Sequence, residues 1–141
     1  MASFNKFNAY VNWLATGTLN HHTDTHKVML TNTVPVATNS IYSDISAGEV
    51  ANGNGYTTGG ATATLSSDGQ SSGTYKLVLT SPVFTATGSV GPFRYAVLYD
   101  STPASNKALM GWWDYGSSLT LANTDTFTPT LDGTNGVLQI A

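Results

Sequence analysis

The amino-acid sequence predicts an all-β fold: a single-domain antiparallel β-sandwich, or a barrel-like sandwich, with short helical turns. Three observations predict it. Short runs rich in Val, Leu, Thr and aromatic residues recur along the chain, and Gly, Pro, Asn and Asp turn signals separate them at regular spacing. The 141 residues include one Glu and few good helix formers on polar positions, which argues against long solvated helices. Finally, residues 93–121 read as two antiparallel strands with a loop at 100–106, a hairpin on which other strands can pack.

In chain order, the first segment is ambiguous. Phe4, Phe7, Val11 and Leu14 stand at helical spacing, while residues 10–13 alternate as a strand would, so a short helix and an extended N-terminal arm over residues 1–16 are both open. Residues 16–25 are a polar loop, and 27–31 a short strand ended by Asn32 and Pro35. Residues 40–45 suit a helical turn capped by Asn39 or Ser40. Four glycines lie within residues 51–60, a density that permits left-handed turns and close backbone approach. A thin strand at 61–65, a polar turn at 66–73 and an alternating strand at 75–80 follow. Pro82 precedes a strand at 83–87.

In the hairpin, Phe93, Tyr95, Val97 and Tyr99 share one face and Arg94, Ala96 and Leu98 the other. Neither face is polar, so the strand is expected to be covered on both sides. Trp112 and Trp113 are adjacent and must point to opposite faces, one to the core and the other outward or into an interface. Residues 114–118 read as a turn. Strands at 118–121, 126–131 and 137–140 complete one domain spanning 1–141.

Composition narrows function. Charged residues are 9% of the chain, against roughly 25% in an ordinary soluble domain, and Thr, Ser, Asn and Gly take their place. The five basic residues, Lys6, Lys27, Lys76, Arg94 and Lys107, are scattered singly, which disfavours nucleic acid and polybasic membrane contact. With no cysteine, disulfides and thiolate metal sites are excluded. No apolar leader is legible at the N-terminus, so synthesis in a cytoplasm without an export signal is the expectation.

Candidate chemistry is sparse. His22, Asp24 and His26 would share one side of an extended segment, a partial ligand set for zinc or nickel. One short segment supplies an incomplete set, so a polar surface loop is the heavier expectation and no metal or other cofactor is expected. Asp100 and Asp114 bracket the hairpin as a glycosidase pair would, but Asp beside turn residues ordinarily holds local backbone N–H groups. No nucleophile elbow or phosphate loop is present, so the chain is not expected to be an enzyme. Trp13, Trp112, Trp113, Tyr99 and Tyr115 could stack on sugars, yet aromatics are equally the anchors of cores and subunit interfaces, and the latter role carries more weight.

The segments GYTTGG (55–60), FRYAVLY (93–99) and GWWDYG (111–116), in that order, resemble a family of small virion structural proteins of tailed bacteriophages. The opening FNKF, the run KVMLTNTVP and a closing strand near Ile140 fit the same pattern, so the resemblance spans nearly the whole chain. It implies a non-enzymatic capsid decoration or cement protein on the outer surface of the virion. Such a protein would form a homotrimer and contact the major capsid protein, with Phe4, Phe7, Trp13, Trp112, Trp113 and Tyr115 as the interface candidates. The rival is a tail- or fibre-associated adhesion module that binds host-surface glycan through exposed aromatics.

Overall fold

A computed structural model describes residues 2–103 and 105–141, and it is mostly β with antiparallel sheets. The strands are β1 (Phe4–Lys6), β2 (His26–Thr31), β3 (Ala61–Thr62), β4 (Leu65–Ser71), β5 (Thr74–Leu79), β6 (Phe84–Thr85), β7 (Val90–Asp100), β8 (Leu109–Leu121), β9 (Thr126–Phe127) and β10 (Leu138–Ile140). Among the described residues one helix, α1 (Asn8–Ala15), and two 3-10 turns (Tyr42–Asp44 and Ser46–Gly48) complete the elements. A five-stranded sheet runs β1-β8-β7-β2-β3; a three-stranded sheet runs β10-β5-β4; β6 and β9 pair on their own. Among the described residues no helix is long and apolar enough to cross a membrane.

The hairpin at 93–121 is the centre of the large sheet, and β7 is covered on both faces as its apolar alternation predicts. Val28, Leu30, Ala96, Leu98, Met110 and Trp113 point to a main core, where Leu77 and Leu79 of the small sheet close the sandwich. Met29, Tyr95, Val97, Tyr99 and Leu109 point the other way, to a second core capped by Phe7 and Ile45. Residues 28–30 and 95–99 alternate between these two clusters, as the pleat requires. The register shift between Phe93 and Tyr95, however, turns Phe93 into the main core, away from the face it was expected to share with Tyr95, Val97 and Tyr99.

The N-terminal segment resolves into both of the forms its pattern allows. Residues 4–6 are extended and pair antiparallel with β8, Phe4 opposite Trp113, and α1 follows directly. Phe7 and Tyr10 are 0% and 1% exposed, so this segment packs into its own domain and is no free arm. Gly111 makes the docking feasible: a Cβ there would lie 2.1 Å from the Phe4 ring.

Two expected turns are strands. The polar residues 66–71 belong to β4, the outer strand of the small sheet, and its solvated sides carry no apolar alternation to reveal it. The turn itself is confined to Ser72 and Gly73, both at positive φ, the geometry of a tight hairpin. Residues 114–118 lie within β8, because the register jumps from Tyr95 opposite Asp114 to Phe93 opposite Leu119. The turn chemistry is real but is realised as a bulge, with Gly116 at φ +83°.

Candidate functional site

Two polar hubs sit at the ends of the central strands. The first gathers on Glu49, the chain's one glutamate. Its Oε1 accepts from the Tyr56 hydroxyl at 2.7 Å and from the Gly59 N–H at 2.6 Å, and its Oε2 accepts from the Tyr42 hydroxyl. Tyr56 in turn accepts the Leu30 N–H at 3.1 Å, and Tyr99 donates to the Gly59 carbonyl at 2.6 Å. Burial holds the phenols of Tyr42, Tyr56 and Tyr99 well above their ordinary pKa, so all three remain donors. The glycine-rich loop is shaped by this packing. Gly60 sits at φ +78°, and a Cβ on it would fall 1.9 Å from the Val28 carbonyl oxygen.

The second hub is built from Tyr10 on α1, His21 in the turn after it, His26 at the start of β2 and Asp100 at the end of β7. β2 and β7 pair with His26 directly opposite Asp100, which explains why residues so distant in sequence meet. His21, His26 and Asp100 are 5%, 1% and 0% exposed. One ring nitrogen from each histidine and one Asp100 oxygen all lie within 4.8 Å of one another.

Protons in this hub can be placed by elimination. Burial raises the Tyr10 pKa far above its usual value, so its hydroxyl keeps its proton and donates to His21 Nε2. His21 then carries its proton on Nδ1 and donates to His26 Nε2 at 2.9 Å. Burial lowers the His21 pKa to about 4 and lowers that of His26 as well, so both rings are neutral at pH 7. A neutral His26 accepting at Nε2 must hold its proton on Nδ1, and that atom has no partner. Asp100 Oδ1 accepts the Thr102 N–H at 2.9 Å, while Oδ2 is buried without a partner. Burial, reinforced by the neighbouring Asp24 carboxylate, pushes the Asp100 carboxyl up to about 7.

The sequence-derived ligand set His22, Asp24 and His26 is thus redrawn. His26 belongs to the hub and Asp24 borders it, with its Oδ2 accepting the Asn20 N–H at 2.7 Å. His22 turns to solvent and meets Asp68 at 3.1 Å. The segment is a turn rather than an extended strand, so alternation does not select the inward side chains. His21 and Asp100 are the residues missed. No local pattern could have found Asp100, whose role depends on the β2–β7 register. The turn role expected for Asp100 and Asp114 is also present: Asp114 accepts the Gly116 N–H at 2.8 Å and holds Arg94 through two bonds of 2.7 and 2.9 Å.

Of the interface candidates, Phe7 and Trp113 are core residues, 0% and 4% exposed. Phe4, Trp13, Trp112 and Tyr115 are half-buried. The tryptophan pair does split between the two faces, but neither ring is free: Trp113 packs on Phe4 with centroids 5.1 Å apart, and Trp112 on Phe7 at 4.5 Å. Trp113 and Tyr115 border an open groove of about 480 Å³ with Asp114 and Thr130. No family model, curated protein or solved structure matches the chain.

Proposed function

We propose that this protein is a non-enzymatic structural component of a tailed-phage virion, most simply a decoration protein that clamps the head lattice by non-covalent contacts with the major capsid protein and with copies of itself. The observation that carries this reading is where the exposed hydrophobic surface lies. Val11, Val34, Val36, Val83 and Ile140 are 43% to 62% exposed, whereas the aromatics are buried or half-buried. An aliphatic surface set among Thr, Ser and Asn suits contact with protein. Sugar stacking calls for the opposite arrangement, with open aromatic faces, so the same observation weighs against the glycan-binding rival. Asn8 N–H donates to the Ala37 carbonyl at 2.9 Å, which brings the start of α1 to the loop that carries Val34 and Val36.

The mechanism of such a clamp is mass action: a ligand that binds only the assembled lattice stabilises it. Copy number on purified virions, with heads and tails separated, tests the reading. Hundreds of copies on heads, with heat or osmotic tolerance falling when the protein is removed, is the expected result. A handful on tails, or none on any particle, overturns it.

A further inference from the structure

We infer that His21, His26 and Asp100 form a binding site for a divalent transition-metal ion of the zinc class, clasping the turn after α1 to the adjoining ends of β2 and β7. The first support is unfinished hydrogen bonding. Asp100 Oδ2 is buried and unpartnered on the residue that faces His26 across the β2–β7 ladder. Orphaned buried polar atoms are rare, and the group beside Asp100 is the Asp24 carboxylate, which only a shared proton or a cation reconciles with it.

The second support is geometric. Donor atoms held about 2.0–2.2 Å from a tetrahedral ion stand roughly 3.5 Å apart. The His21 Nδ1 to His26 Nε2 separation is 2.9 Å, and the farthest donors of the trio are within 4.8 Å. Closing on an ion therefore asks for shifts of roughly 1 Å or less per atom around that spacing. When His21 binds through Nδ1, its Nε2 takes the proton and Tyr10 becomes the outer-shell acceptor, the usual way a ligating ring is held in orientation.

Chemistry selects the ion. Two imidazoles and one carboxylate, without thiolate, favour zinc, nickel or cobalt over the hard calcium and magnesium ions, which prefer all-oxygen cages. A fourth ligand can come from water or from Asp24, which borders Asp100. His21 also forms part of the wall of an open groove of about 430 Å³, with Leu14, Leu19, Asp68 and Tyr75, so an ion has a route inward. This inference is independent of the virion reading.

The test is zinc titration of the chelator-treated, full-length protein by calorimetry, with thermal melting alongside. The expected result is one zinc per chain and a melting midpoint that climbs with zinc concentration. Asp100→Asn should weaken binding by roughly a hundredfold, and Tyr10→Phe, outside the coordination shell, by about tenfold. His22→Ala should change neither, because His22 faces Asp68 on the surface. Binding lost in His22→Ala but kept in Asp100→Asn would overturn the proposal, as would an unchanged wild-type melting curve, the behaviour of a site bridged by water alone. Should Asp100→Asn fail to fold, cobalt substitution of the wild type decides instead. Intense tetrahedral d–d absorption with imidazole ligation supports the site, and a weak octahedral spectrum overturns it.

Discussion

The Glu49 hub and the Asp100 hub each set one carboxylate beside aromatic side chains at an end of β2, yet they are finished differently. Around Glu49 the two tyrosine hydroxyls and the backbone N–H each reach a carboxylate oxygen, and Tyr99 closes the circuit on Gly59. Around Asp100 the chain Tyr10–His21–His26 ends on a nitrogen with no acceptor, and Asp100 Oδ2, on the residue paired with His26, has no donor. A complete polar network rigidifies the structure around it, whereas a partial one is a cost that folding alone does not repay. The contrast separates a residue kept for architecture from residues that await something else.

Breaking the complete hub should have the largest effect. Glu49→Ala leaves two phenols and the Gly59 N–H without their acceptor and should cost about 3 kcal/mol in urea unfolding. A loss below about 1 kcal/mol would mean that solvent substitutes freely there. Tyr99→Phe removes one buried bond of the same circuit and should cost about 1 kcal/mol by the same measurement. In chelator-treated protein Asp100→Asn should change stability by less than about 1 kcal/mol, since the amide keeps the oxygen that accepts from Thr102 and removes an unpaired buried charge. A penalty as large as that of Glu49→Ala would erase the distinction between the hubs.

The smallest effect is acid loosening at Asp44, the carboxylate that fixes the 3-10 turn presenting Tyr42 to Glu49. Its Oδ2 accepts the Ser40 N–H at 2.8 Å and the Ile41 N–H at 3.1 Å, and the Ser40 bond is the leading cause of its lowered pKa. A carboxyl whose folded pKa lies below its unfolded value adds stability that is fully present above the unfolded value and is lost as pH falls through the folded one. Wild type should therefore lose slightly more stability than Asp44→Asn as pH drops below about 4. Identical acid profiles for the two would show that the cap contributes nothing.

How much of this was legible in the sequence follows from the range of each signal. The β7 alternation and the tryptophan pair announce a sheet covered on both faces, because pleat periodicity is local. β4 escapes notice because an outer strand wetted on its polar sides has no apolar rhythm, and the 114–118 turn chemistry is identical whether the chain reverses or bulges. At the second hub, the histidine-rich stretch is visible, but the division of His21 and His26 inward from His22 outward is set by turn geometry. Asp100 comes in only through strand register, and its own neighbours, Ser101 and Thr102, advertise nothing but a loop. Glu49 was legible as the chain's single glutamate and as no more than that.

Phe4 on Trp113, Phe7 on Trp112 and Trp13 within α1 have a spectroscopic consequence. Every indole in the protein lies in the N-terminal segment or against it. Intrinsic fluorescence therefore reports the seating of that segment, while far-ultraviolet circular dichroism reports the sheets. If residues 4–15 lift off before the sandwich opens, the emission maximum will shift red at lower denaturant than the β signal decays, and the gap between the two curves will measure how independently the first strand and helix are held.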